Sequence, residues 1–198
     1  MNYGEFKTQV AQYLHRGDLT SIIPTFIEYG RIRMCDDLRV REMEVTQTVT
    51  LTAGVGALSG DLLDIRSVWD TQGRELVRVN LANLNRYPTA SAWAVRGLDI
   101  LSPGSTDLDV TYYGRPVTFI GAADSATRDV LEAYPQVWLQ AALVEAYRYL
   151  NDEQNEVLAT QRMTEEIRRA NAAARRSLVG ASPAVDTDRI SFISEAIN

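Results

Sequence analysis

The chain has 198 residues, 45% hydrophobic and 23% charged, which suits one packed domain or one domain carrying a smaller insertion, and argues against disorder throughout. A net charge of −6 argues against a general nucleic-acid binder, because such affinity comes from neutralising phosphates. The single cysteine, Cys35, and single histidine, His15, exclude an internal disulfide and effectively exclude a Cys/His zinc site.

The first segment, 2–15, places Phe6, Val10, Tyr13 and Leu14 at helical spacing, with Asn2 and Glu5 as a capping box. Arg16-Gly17-Asp18 breaks that pattern. A second helix is predicted to start at Ser21 to Pro24, where proline is tolerated in the first turn, and to run to about Arg41. Its apolar stripe is Ile23, Ile27, Met34 and Leu38. The N-terminus has no apolar signal core and no later run reaches membrane-span length, so a soluble protein made in reducing cytoplasm, with no membrane partner, is expected.

At Val45 the chemistry changes. VTQTVTLTAG alternates as a half-buried strand does. LLDIRSVWD and ELVRV flank Thr71-Gln72-Gly73 as a hairpin, LANLNRY reads as a short helix ended by Pro88, and WAVRGLDIL reads as a second hairpin about Arg96-Gly97. DLDVTYYGRPV is a last strand, with Asp107, Asp109, Thr111 and Tyr113 on one face and Leu108, Val110 and Tyr112 on the other. Helix returns from about Ser125. Pro135 marks a helix start, and a final helix over 152–178 has Val157, Leu158, Met163, Ile167 and Ala170 as its inner stripe. Past Gly180 the pattern stops in a loose segment with an apolar cluster of Ile190, Phe192, Ile193 and Ile197.

The expected architecture is α+β. A four-helix-type bundle (1–44 and 125–178) carries a small antiparallel β insertion (45–124), followed by an extended C-terminal tail (179–198).

No catalytic constellation emerges. His15 sits beside Arg16 at a helix C-terminus, where the macrodipole explains it. Cys35 is followed by Asp36 and Asp37, and neighbouring carboxylates raise a thiol's pKa, the wrong direction for a nucleophile. Acidic pairs such as Asp61 and Asp64, Glu42 and Glu44, or Glu165 and Glu166 meet a glycosidase's minimum requirement without specificity. Gly54, Gly56 and Gly60 lack the lysine of a phosphate loop and read as a flexible β connection. No cofactor or metal is expected.

DLTSIIPTFIEYGRIRMCDDLRVREME, residues 18–44, resembles the N-terminal signature of the phage head-to-tail adaptor family, also called tail accessory factors or connectors of short-tailed phages. The matching elements are Ile23 to Ile27, Arg31-Ile32, Leu38-Arg39, and Arg41 with Met43-Glu44. LSGDLLDIRSVWD is similar to that family's Leu-Pro-x-Asp-Phe-Leu segment, departing at Ser59, and YPQVWLQAALVEAYRYLND resembles its late helix.

The resemblance implies a virion protein of the neck, not an enzyme. About a dozen copies would form a ring that joins the portal protein to a tail nozzle or tail tube protein, with double-stranded DNA only passing through the centre. It further implies Arg175, Arg176, Ile190, Phe192 and Ile193 as portal-docking residues, and Arg39, Arg41, Glu44 and Trp69 at the ring subunit interface. Three alternatives stand beside it, another neck ring of the head-completion or stopper kind, a virion-associated peptidoglycan hydrolase and a DNA-binding regulator.

Overall fold

Among the described residues two helices, α1 (Tyr3–Leu14) and α2 (Ile23–Met34), precede seven strands, and three more, α3 (Asp129–Ala133), α4 (Pro135–Tyr149) and α5 (Glu153–Val179), follow them. This computed structural model describes residues 1–87 and 90–179. The capping box is formed: Asn2 Oδ1 accepts from Glu5 N at 2.8 Å and Glu5 Oε2 accepts from Asn2 N at 2.9 Å. Together the two bonds satisfy two donors that a helix start leaves orphaned. Tyr3, Phe6, Val10 and Leu14 make the buried stripe of α1, and His15 ends it with a left-handed φ of 51°.

The fold is α+β, but the helices are arranged about a hub rather than as four equal members. α4 packs against α1, α2 and α5, and nine of its fifteen residues are buried. Trp138 on α4 meets the rings of Phe6 and Phe119 edge-on, at 6.3 and 5.5 Å, and Phe119 stacks on Tyr3 at 4.6 Å. α2 comes closest of all. A Cβ on Gly30 would lie 2.7 Å from the Ala141 carbonyl carbon and 2.8 Å from the Ala142 nitrogen, so only glycine allows the two backbones this approach.

α2 ends at Met34, not near Arg41. The reason lies far along the chain. Asn171 on α5 accepts from Arg39 N and donates to the Asp37 carbonyl, each at 2.8 Å, and so holds the segment after α2 in a turn. Leu38 stays fully buried within that turn, and a 3-10 turn at Arg41–Met43 leads into the strands. The inner stripe of α5 also differs from expectation. Ala159, Met163, Ile167 and Ala170 are buried at spacings of four, four and three, whereas Val157 and Leu158 fall off that line and are 55% and 42% exposed. α5 has 27 residues against 15 in α4, so it outruns its main packing partner by twelve.

The strands are β1 (Glu44–Thr50), β2 (Val55–Ala57), β3 (Leu62–Asp70), β4 (Val77–Arg78), β5 (Ala92–Arg96), β6 (Asp99–Leu101) and β7 (Asp107–Gly114). They make one sheet in the order β1-β7-β3 and another in the order β2-β6-β5-β4. Val49, Val68, Leu108, Val110 and Tyr112 from the first meet Trp93 and Ile100 from the second in a small apolar core, separate from the helical one. β7 alternates as expected, and β5 and β6 form the hairpin about Gly97 at φ 65°.

The sheets are not wholly antiparallel. After the turn at Thr71 to Gly73 the chain follows β3 only to the bond from Leu76 N to Val68 O, then leaves it, and β4 pairs with β5 in parallel. Parallel neighbours need a crossover. The segment read as a short helix supplies part of it, as a 3-10 stretch at Leu81–Arg86.

The helical and β portions are joined at a half-buried cluster. Arg31 donates to both oxygens of Glu28 (3.0 and 2.6 Å) and to the Pro116 carbonyl (3.0 Å), and Thr118 Oγ1 donates to Glu28 at 2.7 Å. The hydrogen bonds from Arg31 hold the Glu28 carboxyl below its ordinary value of 4.5, against the opposing pull of burial.

Two outcomes follow from this packing. Gly30→Ala forces α2 away from α4 and is expected to cost about 2 to 3 kcal/mol, read as a lowered urea midpoint. A carboxyl depressed by folding adds stability above its unfolded pKa and loses it as pH falls through the folded one. Urea titrations between neutral pH and pH 3 should therefore show wild-type stability falling more steeply than that of Glu28→Gln. The variant itself should be weaker by about 2 kcal/mol at neutral pH, because Arg31 loses its charged acceptor.

Candidate functional site

His15, Cys35, Asp61, Glu165 and Glu166 each have a structural place or partner. His15 is exposed and serves as the left-handed C-cap of α1, its N–H bonding to Gln12 O. Cys35 is buried, and burial is the main cause that pushes its thiol up; Arg31, Arg115 and Arg39 pull it down, and Asp36 adds only a small upward push. The expected direction is present, with burial rather than the neighbouring carboxylates as its principal source. Glu165 and Glu166 both bind Arg169, at 2.5 and 2.9 Å, and Asp61 accepts from the Tyr112 hydroxyl at 3.2 Å. Among the described residues no group of three or more His, Cys, Asp or Glu side chains is placed to hold a metal ion.

Within the glycine-rich segment three residues form the short strand β2, while Gly54, at φ 80°, and Gly60 lie in the turns on either side. Gly56 lies in β2 opposite Ile100, and an added Cβ would meet Val49 and Leu51 at 2.5 and 2.6 Å. Asp109 lies on the outer face of β7 and accepts from Thr48 Oγ1 at 2.7 Å, a cross-strand pair.

Of the four residues assigned to subunit contacts, Arg39 faces inward. Its guanidinium donates to the carbonyls of Cys35, the C-cap of α2, and of Leu38, at 2.8 and 2.7 Å. Arg41 is well exposed, with Glu42 the nearest carboxylate at 3.9 Å. Glu44 and Trp69 share the outer face of the three-stranded sheet. Glu44 pairs in register with Tyr113 and bonds to Arg66, while Trp69 pairs with Asp109 and donates to Ser67 Oγ at 3.2 Å. The two stand at opposite ends of β7, about 14 Å apart along the strand, and Trp69 is 39% exposed.

Arg175 and Arg176 are exposed on the last turns of α5, Arg176 bonding back to the Ala172 carbonyl at 3.4 Å. Ile190, Phe192 and Ile193 lie outside the described residues. Arg175 and Arg176 also border a groove of about 590 Å³, which Asp37 lines as well.

Sequence reasoning missed an apolar surface on the helices. Tyr29 and Ile32 on α2 and Tyr149 at the end of α4 are more than half exposed, with Tyr149 leaning on Phe26 at 5.4 Å. On the connector after β7, Val117 and Ile120 are 62% and 69% exposed, and Ile120 borders a cleft of about 500 Å³ with Tyr3, Pro24 and Tyr29. The available signal was apolar residues off the buried stripe of each helix. Among the described residues no helix is long and apolar enough to cross a membrane.

These exposed apolar and charged surfaces are what the described residues offer to their surroundings. No curated protein matches the sequence. A family model described as SU10 adaptor protein matches residues 1–186, taking in the helices on both sides of the strands as well as the strands themselves. The chain therefore belongs to the SU10 adaptor protein family, a phage head-to-tail adaptor family, and its role is that of a structural adaptor in the virion.

Proposed function

We propose that this chain is the ring subunit that joins the portal to the tail and lets DNA pass through its centre. The observation that carries the reading is the adaptor match across residues 1–186, which includes both the helical portion and the β portion. In this reading residues 1–44 and 125–178 form the ring body, residues 45–124 border the tail nozzle or tail tube, and residues 179–198 reach the portal. About a dozen copies would close the ring.

The surface chemistry supports the assignment. A ring contact is head-to-tail, so each subunit needs two different faces. The helical apolar patch of Tyr29, Ile32 and Tyr149 and the sheet face bearing Glu44 and Trp69 are two such faces. Arg41 joins them as an exposed ring-interface residue, whereas Arg39 acts there only by shaping the segment that carries Arg41. The overall charge of −6 favours DNA sliding past the ring over DNA held by it. Arg175 and Arg176, with Ile190, Phe192 and Ile193, are the portal-docking set, in which modest contacts gain strength from repetition around the ring.

The test mixes purified full-length protein with portal from the same phage genome and measures the mass of the assembly, alongside a version ending at Gly180. Full-length protein is expected to join the portal as a stoichiometric ring and the shortened one to fail. Absence of binding by both overturns the adaptor position.

A further inference from the structure

Two exposed faces of the chain carry charge of opposite sign that nothing around them balances. On α5, Arg169 is matched by Glu165 and Glu166, but among the described residues no carboxylate lies within ion-pair distance of the exposed Arg162 and Arg168. A helix C-terminus favours cations within its last turn. Arg168 and Arg162 lie eleven and seventeen residues before the end of α5, so that effect accounts for neither. Both lie off the buried stripe of Met163, Ile167 and Ala170, on the side toward solvent.

The second face is the outer surface of the three-stranded sheet, at the end away from Glu44. Asp107 and Asp109 on β7 stand there, with Trp69 of β3 in register beside Asp109. Asp109 accepts from the Thr48 hydroxyl, yet among the described residues neither carboxylate has a cation within ion-pair distance. Arg66 is bonded to Glu44 at the other end of the sheet.

We infer that in the ring this sheet face of one copy seats on the α5 face of the next, Arg162 and Arg168 meeting Asp107 and Asp109. The inference rests on the ring reading above and names the charged contact between neighbouring copies. Spacing agrees with charge. Asp107 and Asp109 are about 7 Å apart along β7, and Arg162 and Arg168 about 9 Å apart along α5. Trp69, 39% exposed, adds an aromatic face on which a guanidinium can lie. The two faces are unlike and both stand open on one chain, so each copy can use both at once. Such a contact propagates head-to-tail instead of stopping at a two-fold pair. Exposed ion pairs are individually weak, and repetition around the ring gives them their strength. Arg175 and Arg176, nearer the end of α5, remain for the portal.

The contact is measured without portal, by sedimentation velocity of full-length protein over a concentration series. Near 10 mM salt, where the Debye length is about 30 Å, wild type is expected to self-associate, and near 1 M, where it is about 3 Å, to return to monomer. Asp109→Lys and Arg168→Glu should each associate roughly tenfold more weakly, with urea midpoints close to wild type showing that both fold. Mixed in equal amounts, each variant finds its reversed charge answered on the other, so association should return to the wild-type level. Asp107→Lys and Arg162→Glu repeat the test at the neighbouring positions. A wild type that stays monomeric at low salt overturns the inference, as does a mixture of folded variants that associates no better than its components. A monomeric wild type that binds a short DNA duplex through Arg162 and Arg168 overturns it too, by giving the α5 face to phosphate. Failure of the portal experiment with self-association intact removes the adaptor position and leaves this contact standing.

Discussion

The close approach of α2 to α4 at Gly30 is the constraint on which the rest of the molecule depends. Two helix backbones can come this near only where one of them has no side chain, and Ala141 and Ala142 on the facing surface keep the other side low. Once they touch, side chains on either side of the contact find partners. Arg33 bonds to Glu145 at 2.5 Å, and Phe26 meets Tyr149. α4 becomes the most deeply packed helix, and the aromatic cluster of Tyr3, Phe6, Phe119 and Trp138 covers another of its sides. Aromatic pairs of this kind contribute about 0.5 to 1.5 kcal/mol each beyond their area. The arrangement also fixes where α5 must lie, and through Asn171 where α2 must stop.

What was legible in the sequence is what local chemistry decides. The capping box at Asn2 and Glu5, proline at the start of α4 and the alternation of β7 each depend on residues a few positions apart. The structure reproduces them. The errors have distant causes. The end of α2 is set by an asparagine 132 residues from Arg39, which periodicity within α2 cannot register. β4 abandons β3 for β5 because the four-stranded sheet offers a partner, and a turn motif cannot reveal that choice. In α5 the expected Met163, Ile167 and Ala170 are buried, but the first turns place Ala159 inward where α4 passes close and leave Val157 and Leu158 outside.

The functional surface divides in the same way. The motif over 18–44 pointed to the adaptor family, which the match over 1–186 establishes. Within that motif the identity of a residue did not disclose its direction. Arg39 and Arg41 are two positions apart, yet one caps a helix from inside and the other reaches solvent. The exposed apolar set of Tyr29, Ile32 and Tyr149 escaped notice for a related reason: surface and core hydrophobes look alike until the buried stripe is known.

The Glu28 cluster has a mechanical meaning. The chain passes between the two cores twice, once at Met43 to Glu44 and once after Gly114, and the second passage is gripped by Arg31 at Pro116 and by Glu28 at Thr118. Tension applied to the strands through that passage arrives at α2 through several hydrogen bonds that share the load instead of opening in turn. The pull is then spread into α4 across the glycine contact. A hinge at this position would let the two cores rock independently; a shared-load clasp makes them move as one piece.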